Sequence, residues 1–170
     1  MAASGSNPSR APDRSSTSPS PGENRQARPY RILVVEDNAA DLFLIQDAIR
    51  GAGITGEVHV ARDGRKAVEF LDGVHTGASA ACPDLLLLDL NLPLRNGVEV
   101  LKHLRGTHRC RHIPVIIVTS SNSEPDREAA RALGATRYFR KPSNYEEFMK
   151  LGSIVRGLLA DATEEPPREQ

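Results

Sequence analysis

Cysteine occurs only twice in the 170 residues, at Cys82 and Cys110, in neither a C-x-x-C pair nor a Cys/His cluster of metal spacing. A zinc site and a disulfide framework are therefore not expected, and both thiols are read as reduced. Net charge is also missing, because 22 Lys and Arg balance 22 Asp and Glu. Without a global positive field there is no basis for holding nucleic-acid phosphates, so no direct nucleic-acid partner is expected. No apolar run approaches the roughly 18 residues of a membrane span, and the N-terminus lacks the basic-then-apolar arrangement of a secretion signal. The expectation is a soluble, cytoplasmic protein with no membrane contact.

What is present is enough for one domain, since 39% of the residues are hydrophobic and can fill a single core. Residues 1–28 are rich in Ser, Pro, Ala and Arg, with Met1 as the one large aliphatic or thioether side chain. They have almost nothing to bury and are expected to be a disordered tail. The alternative, a transit peptide, is disfavoured by the prolines. Residues 161–170 carry Glu164, Glu165 and Glu169 beside Pro166 and Pro167 and read as an acidic tail. The folded unit is placed at 29–160.

Inside those bounds, apolar runs alternate with stretches of helical period. Strands are expected at Ile32 to Val35, Val58 to Val60, Leu85 to Leu88, Val115 to Val118 and Arg137 to Phe139. The first, third and fourth are continuous apolar runs, as strands covered on both faces require. Leu42, Ile45 and Ile49 share one face of the first helix, and Val98, Leu101 and Leu104 one face of a later one. Phe148, Leu151, Ile154 or Val155, and Leu158 form the stripe of the last. Gly51 and Gly53 stop the first helix, Asp63-Gly64 starts the second, and Asp37 or Asn38 caps the first. The fold class is α/β, a flavodoxin-like (βα)5 doubly wound parallel sheet of five strands in the order 2-1-3-4-5. Its site lies beyond the carboxyl ends of the strands.

At that edge the first strand is followed by Glu36-Asp37, the third by Asp89, the fourth by Thr119, and Lys141 comes just after the fifth. Three carboxylates, a hydroxyl and an ammonium converge. Like-charged carboxylates raise one another's pKa, so the group calls for a cation. Oxygen ligands from Asp37 and Asp89, with Glu36 acting through water and a backbone carbonyl completing the set, suit Mg2+. Beside such a metal Asp89 can act as a nucleophile toward phosphorus, forming an acyl phosphate. Lys141 and the Thr119 hydroxyl are then placed to stabilise the transferring oxygens.

Together Glu36-Asp37, Asp89 with Pro93 and Gly97 after it, Thr119-Ser120 and Lys141-Pro142 resemble the response-regulator receiver domain of two-component systems. The resemblance spans roughly residues 30–160. It implies a phosphoprotein whose Asp89 is phosphorylated by a sensor histidine kinase or a histidine phosphotransfer protein in a phosphorelay. It also implies Asn91 as the source of the metal's backbone carbonyl, and a cis Lys141-Pro142 peptide bond. Tyr138 would be the aromatic that turns inward as Thr119 follows the phosphoryl group; packing of a half-buried ring on an edge strand is the other reading. Asp41 to Gln46, Leu87 to Pro93 and Lys141 to Asn144 are further similar to small single-domain regulators that partner bacterial phytochromes. Those relatives dimerise through the face that includes the last helices, which implies a homodimer. No second domain follows Ala160 in the sequence, so output is expected through protein contacts.

A haloacid-dehalogenase-type phosphatase also pairs Asp with Mg2+ on a doubly wound sheet, but it needs an Asp-x-Asp nucleophile after the first strand, where Glu36-Asp37-Asn38 stands. A flavodoxin-like FMN carrier needs a Ser/Thr/Gly phosphate loop there, and acidic residues would repel the phosphate. The five histidines show no metal or triad spacing and are read as surface or loop residues. The basic cluster around Arg105, Arg109 and Arg111 is read as a solvated loop.

Overall fold

The computed structural model describes residues 28–77 and 81–164. Nearly all of the N-terminal tail expected to be disordered, and residues 165–170 of the acidic tail, lie outside them. Strands and helices alternate strictly: β1 (Tyr30–Val35), α1 (Ala39–Gly51), β2 (Gly56–Ala61), α2 (Gly64–His75), β3 (Leu85–Leu88), α3 (Gly97–Gly106), β4 (Val115–Thr119), α4 (Glu124–Ala132), β5 (Arg137–Arg140) and α5 (Tyr145–Glu164). The sheet order is β2-β1-β3-β4-β5 and every neighbouring pair is parallel. Among the described residues no helix is long and apolar enough to cross a membrane.

The period-two alternation of strand side chains explains why the three central strands carry unbroken apolar runs, Ile32 to Val35, Leu85 to Leu88 and Val115 to Val118. Leu33, Val35, Leu86, Leu88, Val115 and Ile117 face one layer with α2, α3 and Ala130 of α4. Ile32, Val34, Leu85, Leu87, Ile116 and Val118 face the opposite layer, where α1 and α5 lie. The edge strands β2 and β5 are only partly covered, and Arg137 and Arg140 at the two ends of β5 are exposed. In the second layer Gly152 of α5 sits so close to α1 that a Cβ would overlap the Ala48 carbonyl oxygen. A larger residue there would hold the two helices apart.

The expected stripes are present with one adjustment, Val100 rather than Val98 being deeply buried in α3. Of the two alternatives in α5, Val155 is the buried one and Ile154 is partly buried. The last helix continues to Glu164, beyond the boundary read at Ala160. Of the histidines read as surface or loop residues, three lie within regular elements: His59 on β2, His75 at the end of α2, and His103 on α3, where it pairs with Asp72 of α2 at 2.7 Å.

Cys82 and Cys110, read as separate reduced thiols, are joined in a disulfide with Cα atoms 5.6 Å apart. The sequence separation of 28 is one strand-helix unit. Cys82 lies on the approach to β3 and Cys110 on the approach to β4, and these strands are neighbours in the sheet. Topology, not local spacing, brings the sulfurs together.

Arg105 of the basic cluster is not a solvated loop residue. Its guanidinium donates to the Leu133 and Gly134 carbonyls just past the end of α4, at 2.9 and 2.8 Å. It also donates to the Arg111 and Ile113 carbonyls ahead of β4, at 2.7 and 2.9 Å. Helix C-termini leave carbonyls without intrahelical partners, and the planar fork of arginine can serve several acceptors at once.

Candidate functional site

The carboxyl edge of the sheet is assembled from strand ends. Glu36 follows β1 and is buried at 1% exposure, whereas its neighbour Asp37 is exposed. Asn38 then starts α1: its side-chain oxygen accepts from the Ala40 and Asp41 amides at 2.9 and 3.0 Å, the N-cap arrangement that satisfies otherwise orphaned donors. Asp89 follows β3, and its amide donates to the Val35 carbonyl of β1 at 3.1 Å, fixing the two strand ends side by side. Thr119 ends β4 and is fully buried, and the Lys141 amide donates to its carbonyl at 2.9 Å.

The Lys141 ammonium has three hydrogens and spends each on a carboxylate: Glu36 Oε2 at 2.7 Å, Asp41 Oδ2 at 2.8 Å and Asp89 Oδ2 at 2.8 Å. Its side chain is only 7% exposed. Burial alone would lower the pKa of this lysine, but Asp41, Asp89 and Glu36 together override it and hold the pKa above the ordinary lysine value. Burial drives the Glu36 carboxyl upward, opposed by its bonds to Lys141 and to the Asn38 amide. The second oxygens are also fixed, Glu36 Oε1 accepting from Asn38 N–H and Asp89 Oδ1 from Asn91 N–H, both at 3.0 Å.

Oxygens of Glu36, Asp37 and Asp89 all lie within 4.8 Å of one another, so the expected carboxylates do share one site. Asp37 thus adds a fourth carboxylate beside the three that Lys141 holds. Such an excess of negative charge, offered wholly by oxygen donors, fits a hard divalent cation. The backbone of Asn91 adjoins the same site through its bond to Asp89.

The Thr119 hydroxyl oxygen accepts from the Ser121 amide at 3.2 Å, which leaves its own hydrogen for another acceptor. Tyr138 is half-buried beside the layer of α2 and α3. Its hydroxyl donates to the Ser121 carbonyl at 3.3 Å, and the Arg127 guanidinium stands 5.1 Å from its ring centroid. Burial raises the phenol pKa, with Arg127 acting against it. The Lys141-Pro142 bond expected to be cis is not, since no cis peptide occurs among the described residues. Lys141 reaches all three of its carboxylates from a trans bond.

Asp41 was not among the residues that sequence reasoning placed in the site. Its signal is its place in the first turn of α1, three residues after the capping Asn38. Whether a carboxylate at that position reaches inward depends on where the lysine arrives from, which only the fold supplies.

A model of the response regulator receiver domain matches residues 32–151 of the chain. The chain is 38% identical over 122 residues to a probable methanogenesis regulatory protein, FilR2, of Methanothrix harundinacea, covering 72% of this chain and 78% of that protein. It is 36% identical over 130 residues to the response regulator Rcp1 of a Synechocystis species, covering 76% of this chain and 86% of Rcp1. The Mn2+-bound structure of Rcp1 superposes with a TM-score of 0.68 at 34% identity, covering 76% of this chain and 93% of that one. The phosphorylated cyanobacterial phytochrome response regulator RcpA superposes with a TM-score of 0.72 at 33% identity, covering 81% and 98%.

Proposed function

The chain belongs to the response regulator receiver family, and on that premise we propose that it is a phosphoacceptor switch that takes a phosphoryl group on Asp89 from a phosphohistidine. The observation that carries the reading is the Asp89 carboxylate, fixed at the carboxyl end of β3 and bonded at once to Lys141 and to the Asn91 amide. An Asp89 oxygen attacks the phosphorus, the bond from phosphorus to the donor imidazole nitrogen breaks, and the product is an acyl phosphate. Lys141 redirects a hydrogen bond to an incoming phosphoryl oxygen, and the Thr119 hydroxyl supplies a second.

Mg2+ is the metal in this reading, held by Asp37, Asp89 and the Asn91 carbonyl, with Glu36 acting through water. When bound it neutralises charge on the transferring group. That Rcp1 has a Mn2+-bound form supports a divalent metal in this reading. The protein works as a signalling phosphoacceptor that also loses the group by its own hydrolysis, not as a multiple-turnover enzyme.

Phosphorylation shifts a two-state equilibrium in which Thr119 and Tyr138 take part, altering protein contacts near α4 and β5. The partners are a sensor histidine kinase or a histidine phosphotransfer protein, in the cytoplasm, with no nucleic acid or membrane surface. The similarity to RcpA, a cyanobacterial phytochrome response regulator, supports a bacterial phytochrome as the sensor. A homodimer through the face that includes the last helices belongs to the same reading, as does a receiver unit bounded near residues 29 and 160.

The test is incubation with acetyl phosphate and Mg2+, followed by intact-mass measurement. One phosphoryl group is expected on the wild type and none on Asp89→Asn or on chelator-treated protein. A wild type that never gains the group would overturn the reading.

A further inference from the structure

We propose that Asp41 is a positioning residue for phosphoryl transfer, tethering the Lys141 ammonium at the open side of the site so that it meets the incoming phosphoryl oxygens. This rests on the phosphoacceptor reading of Asp89.

The wiring of α1 releases Asp41 for that task. An acidic residue at the third position of a helix ordinarily bonds back to the N-cap amide, closing a capping box. In α3 this happens: the Glu99 carboxylate accepts from the Asn96 amide at 2.9 Å while the Asn96 side chain accepts from Glu99 N–H. In α1 the equivalent Asn38 amide is already taken by Glu36 Oε1. Asp41 has no donor to close on at the cap, and its carboxylate bonds instead to Lys141 across 100 residues of sequence.

The three partners of Lys141 are not equivalent. Glu36 and Asp89 side chains are 1% and 6% exposed, whereas the Asp41 side chain is 31% exposed. Asp41 is thus the partner nearest to solvent. Asp89 stops being an anionic acceptor once it carries a phosphoryl group, because its charge moves onto the phosphoryl oxygens. Lys141 must then transfer one hydrogen bond outward while something else keeps its position. Glu36 alone would draw the ammonium toward the buried floor; Glu36 and Asp41 together hold it between floor and rim. A group pre-placed where charge develops need not be reorganised during transfer. Asp41 is not one of the three carboxylates gathered as a metal cluster, which separates its role from metal binding.

The experiment compares wild type, Asp41→Asn and Asp41→Ala in two readouts. The first is the rate of phosphorylation by acetyl phosphate in saturating Mg2+, followed by intact mass. The second, which needs no phosphorylation, is the rate at which Lys141 in metal-free protein is acylated by a small activated ester, read by peptide mass spectrometry. Thermal unfolding confirms that each variant is folded. Asp41→Ala is expected to phosphorylate about tenfold more slowly, and Lys141 to be acylated several-fold faster, about fivefold being the scale of one lost hydrogen bond. Asp41→Asn, which keeps an acceptor oxygen, should recover part of both. Unchanged Lys141 acylation in Asp41→Ala overturns the tether, and so does an unchanged or faster phosphorylation rate. If the wild type is not phosphorylated at all, the Asp89 reading fails, and the acylation readout still decides whether Asp41 holds the lysine.

Discussion

Gly97 lies directly against Asp89: its amide donates to the adjacent Leu90 carbonyl at 2.9 Å, and a Cβ at Gly97 would overlap the Asp89 carbonyl oxygen. The first residue of α3 thereby sets how closely the helix approaches the strand that carries the phosphoacceptor.

Gly97→Ala is therefore expected to force helix and strand apart, lowering stability by about 1–3 kcal/mol, the scale of an overpacked interior. Phosphorylation of Asp89 should slow with it. Gly157 of α5 provides the contrast, because nothing stands within 4 Å of where its Cβ would be. Gly157→Ala should be neutral or stabilising by up to about 1 kcal/mol. Urea denaturation of both variants, with acetyl phosphate kinetics on each, makes the comparison.

The lysine at the centre of the site gives stability a pH signature in the metal-free protein. Its pKa in the fold lies above the ordinary 10.5, so the folded chain holds that proton more tightly than the unfolded chain. The resulting stabilisation is complete below 10.5 and is lost as pH rises through the folded value. Glu36 behaves differently: its pKa is raised above 4.5, so its ionisation draws stability down as pH climbs through that window. Lys141→Met should flatten the alkaline loss and deepen the acid-side one, because Glu36 loses the partner that most opposes its burial. Urea midpoints measured across pH, wild type against variant, read both slopes.

Breaking the Cys82–Cys110 bridge frees a loop spanning 28 residues. The chain-entropy cost of closing such a loop is about 3.5 kcal/mol, which is the expected difference between oxidised and reduced protein. Denaturation with and without a strong reductant measures it. Cys82→Ala should match the reduced protein in both conditions, and wild type and variant should converge once reductant is present.

The fold was largely legible because its determinants are local. Continuous apolar runs at β1, β3 and β4 mark strands covered on both faces, and Asn38, Asp63 and Asn96 start helices through short-range bonds that a sequence displays directly. The site was legible for the same reason, since Glu36, Asp37, Asp89 and Thr119 directly follow or end their strands. What escaped depends on side-chain direction and on which connecting segments meet once the strands lie in that order. The disulfide needs β3 beside β4, and the inward reach of Asp41 needs Lys141 to arrive from β5. The four carbonyls gathered by Arg105 need α4 to end beside the segment leading to β4. None of these is encoded in the spacing of neighbouring residues.

That last arrangement has a mechanical result. Arg105 fastens the chain just past α4 to the segment ahead of β4, and Ala130 is the one buried residue of the nine in the helix. The opposite end begins at Ser123, four residues beyond Thr119, where its own cap and the contact of Arg127 with the Tyr138 ring hold it. The four bonds of Arg105 therefore anchor α4 at the end remote from Thr119.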